Sequence, residues 1–158
     1  MTQTAIQDFY PDDVAICYGC GRNNPRELHI RTQWDGKEGV ARFTPEPYHT
    51  GFPGVVYGGL IANLIDCHCV GTAIAATYDA EGRAPGTEPA IAYVTGNLNV
   101  RYLAPTPISQ ELILRSRVKE LHEKKAVITC SLYANGIECA SAELIAVRVK
   151  SWAKEASL

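Results

Sequence analysis

Apolar residues in the segment 58–78 cover the whole circumference of a helix and leave no wide polar face. The segment contains no proline, and at about 21 residues a helix there would be about 31 Å long. A membrane span is the competing interpretation, but Asn63, Asp66 and His68 in mid-segment would make insertion costly. We therefore predict a core helix that carries one carboxylate, Asp66, into the interior.

The remaining regular pattern has a period of two, which is typical of β-strands. Residues 28–44 predict two strands joined at Asp35-Gly36 and closed by prolines. After a polar loop, four further strands are predicted at 91–103, 110–120, 126–133 and 137–149. Asn135-Gly136 is a strong hairpin signal between the last two.

This order of elements is a strand pair, one long buried helix and then a run of antiparallel strands. Only a curved sheet wrapped around the helix would cover it, so the predicted class is α+β. We expect one domain over residues 1–158, in which residues 1–16 form a short polar lead-in with at most a helical turn.

Composition excludes some classes of partner. The formal net charge is −2, so no basic field favours nucleic acid. The first residues lack a basic region followed by an apolar run, so we expect no signal peptide and no membrane association. The six cysteines are then expected to be reduced thiols in the cytoplasm.

A Cys-x-x-Cys pair at Cys17 and Cys20 raises the question of zinc or redox chemistry. Zinc needs four ligands, and no second such pair supplies them, while Cys67 and Cys69 are too close together on the core helix to serve jointly. The surrounding glycine, asparagine and proline residues indicate a loop. We predict a tight turn with packed thiols, without a metal or a cofactor.

Three motifs resemble those of one family. Tyr57-Gly58-Gly59, followed seven residues later by Asp66, is similar to a His-Gly-Gly…Asp pattern that opens the long helix. Thr95 to Pro105 resembles a strand that ends in Tyr-x-x-Pro, and Cys20 to Leu28 resembles a Cys-Gly-x-x-Asn-Pro-x-Gly-Leu lead-in, with Glu27 in place of the second glycine. The chain thus resembles the hotdog-fold acyl-CoA thioesterase superfamily, in its branch of PaaI-like and thioesterase superfamily member 4-like proteins.

The resemblance implies a hotdog fold and hydrolysis of an acyl-CoA thioester. Negative charge develops on the thioester oxygen, and backbone N–H groups of Gly58 and Gly59 at the helix start are donors for it. Asp66 is the general base on water or the nucleophile. Because Gly58 and Asp66 lie about 12 Å apart along one helix, the site is expected to combine two chains. We expect a homodimer, or a homotetramer formed as a dimer of such dimers.

The sequence is less specific about the chemistry of the other candidate site residues. Tyr57 stands where the family has histidine, and its phenol donates a hydrogen bond but is no base near neutral pH. His68 is expected to be a core or interface histidine. Residues expected to contact the substrate are His49, Gly51, Asn63, Cys67 and Arg101.

Two alternatives remain open. His49 precedes Gly58 by nine residues, a spacing similar to that in hotdog dehydratases, but Asn63 would replace their acidic residue and cannot exchange the proton. The second alternative is an acyl-CoA-binding protein that uses the same tunnel without turnover.

Overall fold

One long helix, α1, runs through Gly58–Ala80 at the centre of the fold. The computed structural model describes residues 4–151. By length and composition α1 could cross a membrane, yet 72% of its most apolar window is buried inside the fold. Leu64, Ile65 and Ala73 have no exposed surface. The predicted core helix is confirmed, and it extends two residues further than the sequence pattern indicated.

Six antiparallel strands form one sheet that packs against this helix. The strands are β1 (Gln33–Trp34), β2 (Gly39–Phe43), β3 (Ala92–Tyr102), β4 (Leu112–Leu121), β5 (Lys125–Ala134) and β6 (Ile137–Val149). Their order across the sheet is β1-β2-β4-β5-β6-β3, so β3 forms one edge and the two-residue β1 the other. The four strands after the helix are confirmed to within two residues at each end.

Turns and bulges shape the sheet around α1. Asn135 and Gly136 have φ angles of 50° and 75°, which two-residue hairpins between strands require. The β3–β6 register shifts between Thr95 and Asn97, and the β4–β5 register shifts between Val118 and Glu120. Such bulges bend a strand and increase its twist. The result is the predicted hotdog architecture, a curved antiparallel sheet around one helix.

The first predicted strand is shorter than expected, because residues 28–32 form no ladder with β2. Their backbone groups bond elsewhere: Leu28 N–H donates to Tyr18 O, and Ile30 N–H donates to Gly19 O. Alternating polarity predicts which side chains are buried, and Ile30 is indeed 1% exposed. It does not identify the backbone partner, which here is the cysteine-containing turn.

The segment before that turn is more than a polar lead-in. Ile6–Phe9 forms a 3-10 helix, and Ile6 and Gln7 are buried against α1. The Gln7 side chain accepts from Thr32 N–H at 2.7 Å and donates to Thr32 Oγ1 at 3.1 Å. The buried residues of this 3-10 helix therefore belong to the core.

Candidate active site

Asp66 lies halfway along α1, on the side that faces the edge strand β3. The Thr95 hydroxyl donates to Asp66 Oδ1 at 2.5 Å. The carboxylate is half-buried, which is less than the full burial predicted from the sequence. Burial raises its pKa, the hydrogen bond from Thr95 lowers it, and the nearby Cys17 raises it further, with a net upward shift. Asp66 is thus a stronger base than a free aspartate.

An apolar pocket of about 340 Å³ opens beside this carboxylate. Its polar lining comes from Asp66, Thr95 and the thiols of Cys17, Cys20 and Cys67. The rest of the lining is contributed by Tyr10, Val14, Ile16, Val70, Tyr93 and Val94. A few polar groups on the wall of an apolar pocket form the usual composition of a small-molecule site.

The start of α1 carries the second predicted part of the site. Gly58 is the first helical residue, and the first N–H groups of a helix have no acceptor within it. The Tyr102 hydroxyl donates to Gly58 O at 2.7 Å. A Cβ at Gly59 would overlap the ring of Tyr57, so glycine allows that ring to lie over the helix start. Tyr57 is 58% exposed.

His49 and Gly51 lie in the loop before the helix. His49 Nδ1 accepts from Glu46 N–H at 2.9 Å, and its ring lines a separate groove with Tyr18 and Phe43. Gly51 N–H donates to Val55 O, which closes the tight turn that leads into α1. Within one chain, neither residue lines the pocket beside Asp66.

Two further predicted contacts lie in different places. Asn63 stands one turn before Cys67 on α1, and its Oδ1 is 3.9 Å from that thiol. Arg101 lines a shallow groove with Thr129 and Glu143 on β5 and β6, away from the Asp66 pocket. Of the predicted substrate contacts, Cys67 is therefore the one that shares the Asp66 pocket within a chain.

The structure brings Cys67 to the Cys-x-x-Cys turn, a grouping that the sequence reasoning missed. Cys17 Sγ lies 3.7 Å from Cys67 Sγ, and all three sulfurs lie within 4.8 Å of one another. Hydrogen bonds from Cys20 and then Cys67 hold the pKa of Cys17 well below its ordinary value. The bond to Cys17 raises the pKa of Cys20 to about 12 and is also the main cause that raises the pKa of Cys67.

His68 is a core histidine, as the sequence indicated. Its Nδ1 and Nε2 each lie 2.9 Å from a buried hydroxyl oxygen, of Thr32 and Ser116 respectively. Burial lowers the pKa of His68 to about 3, so the ring is neutral at physiological pH. Through these two hydrogen bonds the His68 ring connects α1 to the segment before β1 and to β4.

Known proteins share this architecture. A thioesterase superfamily protein from Shewanella loihica PV-4 is 38% identical, with a TM-score of 0.64 over 89% of this chain and 99% of that chain. The protein smu.793 from Streptococcus mutans UA159, solved bound to acetyl CoA, is 14% identical, with a TM-score of 0.63 over 76% of this chain and 88% of that chain. At that identity the likeness is one of fold alone.

Sequence relatives carry the same family name. Acyl-coenzyme A thioesterase THEM4 from Xenopus laevis is 30% identical over 111 residues, or 70% of this chain and 44% of that protein. THEM4 from Bos taurus is 27% identical over 101 residues, or 62% of this chain and 35% of that protein. The chain thus spans less than half the length of these relatives. The model of the thioesterase superfamily matches residues 53–140, more than half of the chain, and the protein belongs to that superfamily.

Proposed function

We propose that this protein hydrolyses the thioester of an acyl-CoA, with Asp66 as the residue that activates water or attacks the carbonyl. The observation that carries the proposal is a half-buried carboxylate on the wall of an apolar pocket, held by a hydrogen bond from the Thr95 hydroxyl. A carboxylate in such a place costs folding free energy, which favours a functional reason for it.

In the general-base form of the reaction, Asp66 takes a proton from water as the water oxygen bonds to the carbonyl carbon. The carbon–sulfur bond then breaks, and the CoA thiolate leaves and takes up a proton. Negative charge that develops on the carbonyl oxygen needs donors, and the N–H groups of Gly58 and Gly59 are placed at the positive end of α1.

The donors and the base belong to different chains in this proposal. Gly58 and Asp66 are eight residues apart on one uninterrupted helix, so about 12 Å separates them along its axis. A hydrogen bond spans about 3 Å, so one chain cannot bring both groups to one carbonyl. Two antiparallel helices related by a twofold axis would place Asp66 of one chain beside Gly58 of the other.

The edge strand β3 supports such a dimer. In the part of the chain that the structure describes, β3 pairs with β6 on one side and its other side is open. An open edge of this length is a template for pairing with another chain. Apolar side chains at its ends are exposed, including Val94 at 40% and Tyr102 at 56%. Asp66 bonds to Thr95 on this same strand, so the proposed interface adjoins the proposed site.

The first experiment replaces Asp66 by asparagine, which keeps the size of the side chain and one oxygen that can accept the hydrogen bond from Thr95. We expect Asp66→Asn to lower thiol release from acyl-CoA substrates by about 10²–10⁴-fold, because it removes the proton acceptor. Asp79→Asn is the matched control, since Asp79 lies on the same helix and is exposed. Equal thiol release by wild type and Asp66→Asn would refute the assignment.

Thiol release, acyl-CoA binding and conversion of a 3-hydroxyacyl-CoA together separate the thioesterase from the two alternatives. A non-catalytic binding protein would retain acyl-CoA without releasing CoA thiol, and its binding would survive Asp66→Asn. A dehydratase would use His49, so His49→Gln would abolish the conversion of a 3-hydroxyacyl-CoA and Asp66→Asn would not. His49 Nδ1 is occupied by Glu46 N–H, which disfavours that role.

The shared site can be tested by mixing two inactive variants, Asp66→Asn and Gly58→Pro. Proline removes the donor at a position where a helix tolerates it, and Tyr57 already has the extended backbone preferred before proline, with φ −59° and ψ 129°. Each heterodimer would have one site with both defects and one with neither. Random exchange should restore about a quarter of wild-type activity. Verified exchange without recovery would refute the shared site.

A further inference from the structure

We propose that Cys17, Cys20 and Cys67 bind a zinc ion. Two of these thiols come from one turn before the sheet, and the third comes from the middle of α1, one residue after Asp66. Thiolate is the softest ligand that proteins offer to Zn²⁺, and Cys-x-x-Cys is a common source of two zinc ligands.

The sulfur positions fit tetrahedral coordination. Zinc–sulfur bonds of about 2.3 Å at tetrahedral angles place two sulfurs about 3.8 Å apart. Cys17 Sγ and Cys67 Sγ are 3.7 Å apart, and no pair among the three exceeds 4.8 Å. Only a small inward movement of Cys20 is needed to bring all three sulfurs to the separation that zinc requires.

The surrounding backbone is shaped for this group. A Cβ at Gly19 would overlap Cys67 Sγ and would lie 2.8 Å from Asn63 Oδ1, so only glycine lets the helix thiol reach the turn. Gly19 N–H also donates to Cys17 Sγ at 3.3 Å, and such donors support metal-bound thiolates. Arg31 donates to Cys20 O at 3.2 Å, and its positive charge favours the thiolate form of Cys20.

Three protein ligands leave the fourth position for water. Among the described residues the group contains these three sulfurs, and they line the pocket that Asp66 also lines. Cys17 is the exposed member, which gives the ion a path of entry. A bound zinc ion would link the turn that carries Cys17 and Cys20 to α1, next to the Asp66 carboxylate in the same pocket.

The test uses the full chain, purified under reducing conditions, freed of metal with a chelator, and then supplied with Zn²⁺ and separated from the unbound ion. We expect one Zn²⁺ per chain by mass spectrometry under native conditions. Substitution with Co²⁺ should give a sulfur-to-cobalt charge-transfer band and the visible bands of tetrahedral cobalt. Both signals should disappear in Cys17→Ser and Cys67→Ser, and Gly19→Ala should weaken zinc binding although it removes no ligand.

Cys139→Ser is the matched control, because Cys139 is also buried and lies outside the group, with its thiol directed to Pro105 O and Ile137 O. It should keep full zinc stoichiometry. Metal retained by Cys17→Ser, or a wild-type chain that binds no Zn²⁺ or Co²⁺, would overturn the proposal. A disulfide between Cys17 and Cys67 in the protein isolated without oxidant would also overturn it, since it would assign the group to redox chemistry.

Discussion

Replacing His68 by leucine should destabilise the fold by an amount that follows from its two hydrogen bonds. The neutral ring has one donor and one acceptor, and one set of roles satisfies every partner. Gln7 donates to Thr32 Oγ1, the Thr32 hydroxyl donates to His68 Nδ1, and His68 Nε2–H donates to Ser116 Oγ. Ser116 then bonds to Thr72 Oγ1 at 2.6 Å. This direction follows from the partners, because it gives the hydroxyls of Thr32 and Ser116 one donor and one acceptor each.

Leucine would leave the Thr32 hydroxyl without its acceptor and Ser116 without one donor. His68, Thr32 and Ser116 have no exposed surface, so water cannot replace the lost partners unless the structure opens locally. A buried polar group that loses its partner costs about 1–3 kcal/mol. Because Thr32 and Ser116 each keep another bond, we expect His68→Leu to lower the free energy of unfolding by about 2–4 kcal/mol.

Urea unfolding at one fixed protomer concentration measures this change, since the proposed dimer would make stability depend on concentration. Ser116→Ala and the double variant with His68→Leu complete a double-mutant cycle. We expect a coupling energy of about 1 kcal/mol or more. A cost below about 1 kcal/mol for His68→Leu, or additive effects within about 0.5 kcal/mol, would refute the network as a stabilising unit.

Substitutions at two other positions, Tyr57 and Gly136, each probe a single feature of the chain. Tyr57→Phe should lower thiol release by less than about tenfold and Tyr57→His should be tolerated, because the phenol only assists as a donor; complete loss in both folded variants would show a larger role. Gly136→Ala should cost about 1 kcal/mol in urea unfolding through its φ of 75°, with nothing within 4 Å of the added methyl group. An unchanged midpoint would contradict the turn conformation.

The elements that the sequence predicts best here are those with a long uninterrupted pattern and clear ends. The helix has more than five turns without proline, and the last hairpin has Asn135-Gly136 at its tip. Residues 28–32 show where that reasoning fails. Their alternation identifies the buried side chain of Ile30, but a strand is defined by its backbone partner, and that partner is distant in sequence.

The candidate site also has parts that the sequence predicts and parts that only the structure reveals. Asp66 and the helix-start glycines stand in a local motif, so the resemblance predicts a role for them. The Cys17–Cys67 contact joins residues 50 positions apart and has no local signal apart from Gly19, whose need for close approach becomes visible only in three dimensions. The predicted dimer, the cytoplasmic location, the catalytic roles and the substrate contacts at His49, Gly51, Asn63, Cys67 and Arg101 stay predictions, because they depend on a partner chain, a cell or a ligand.

Three consecutive residues of α1 show how one helix serves three parts of the molecule. Each residue turns the side-chain direction by about 100° around the helix. Asp66 therefore reaches Thr95 on the edge strand, Cys67 reaches the cysteine turn, and His68 reaches Thr32 and Ser116. A helix that presented one polar face could serve only one of these contacts. The apolar circumference that first indicated a buried helix is thus also what allows a carboxylate, a thiol and a structural histidine to stand side by side without competing for partners.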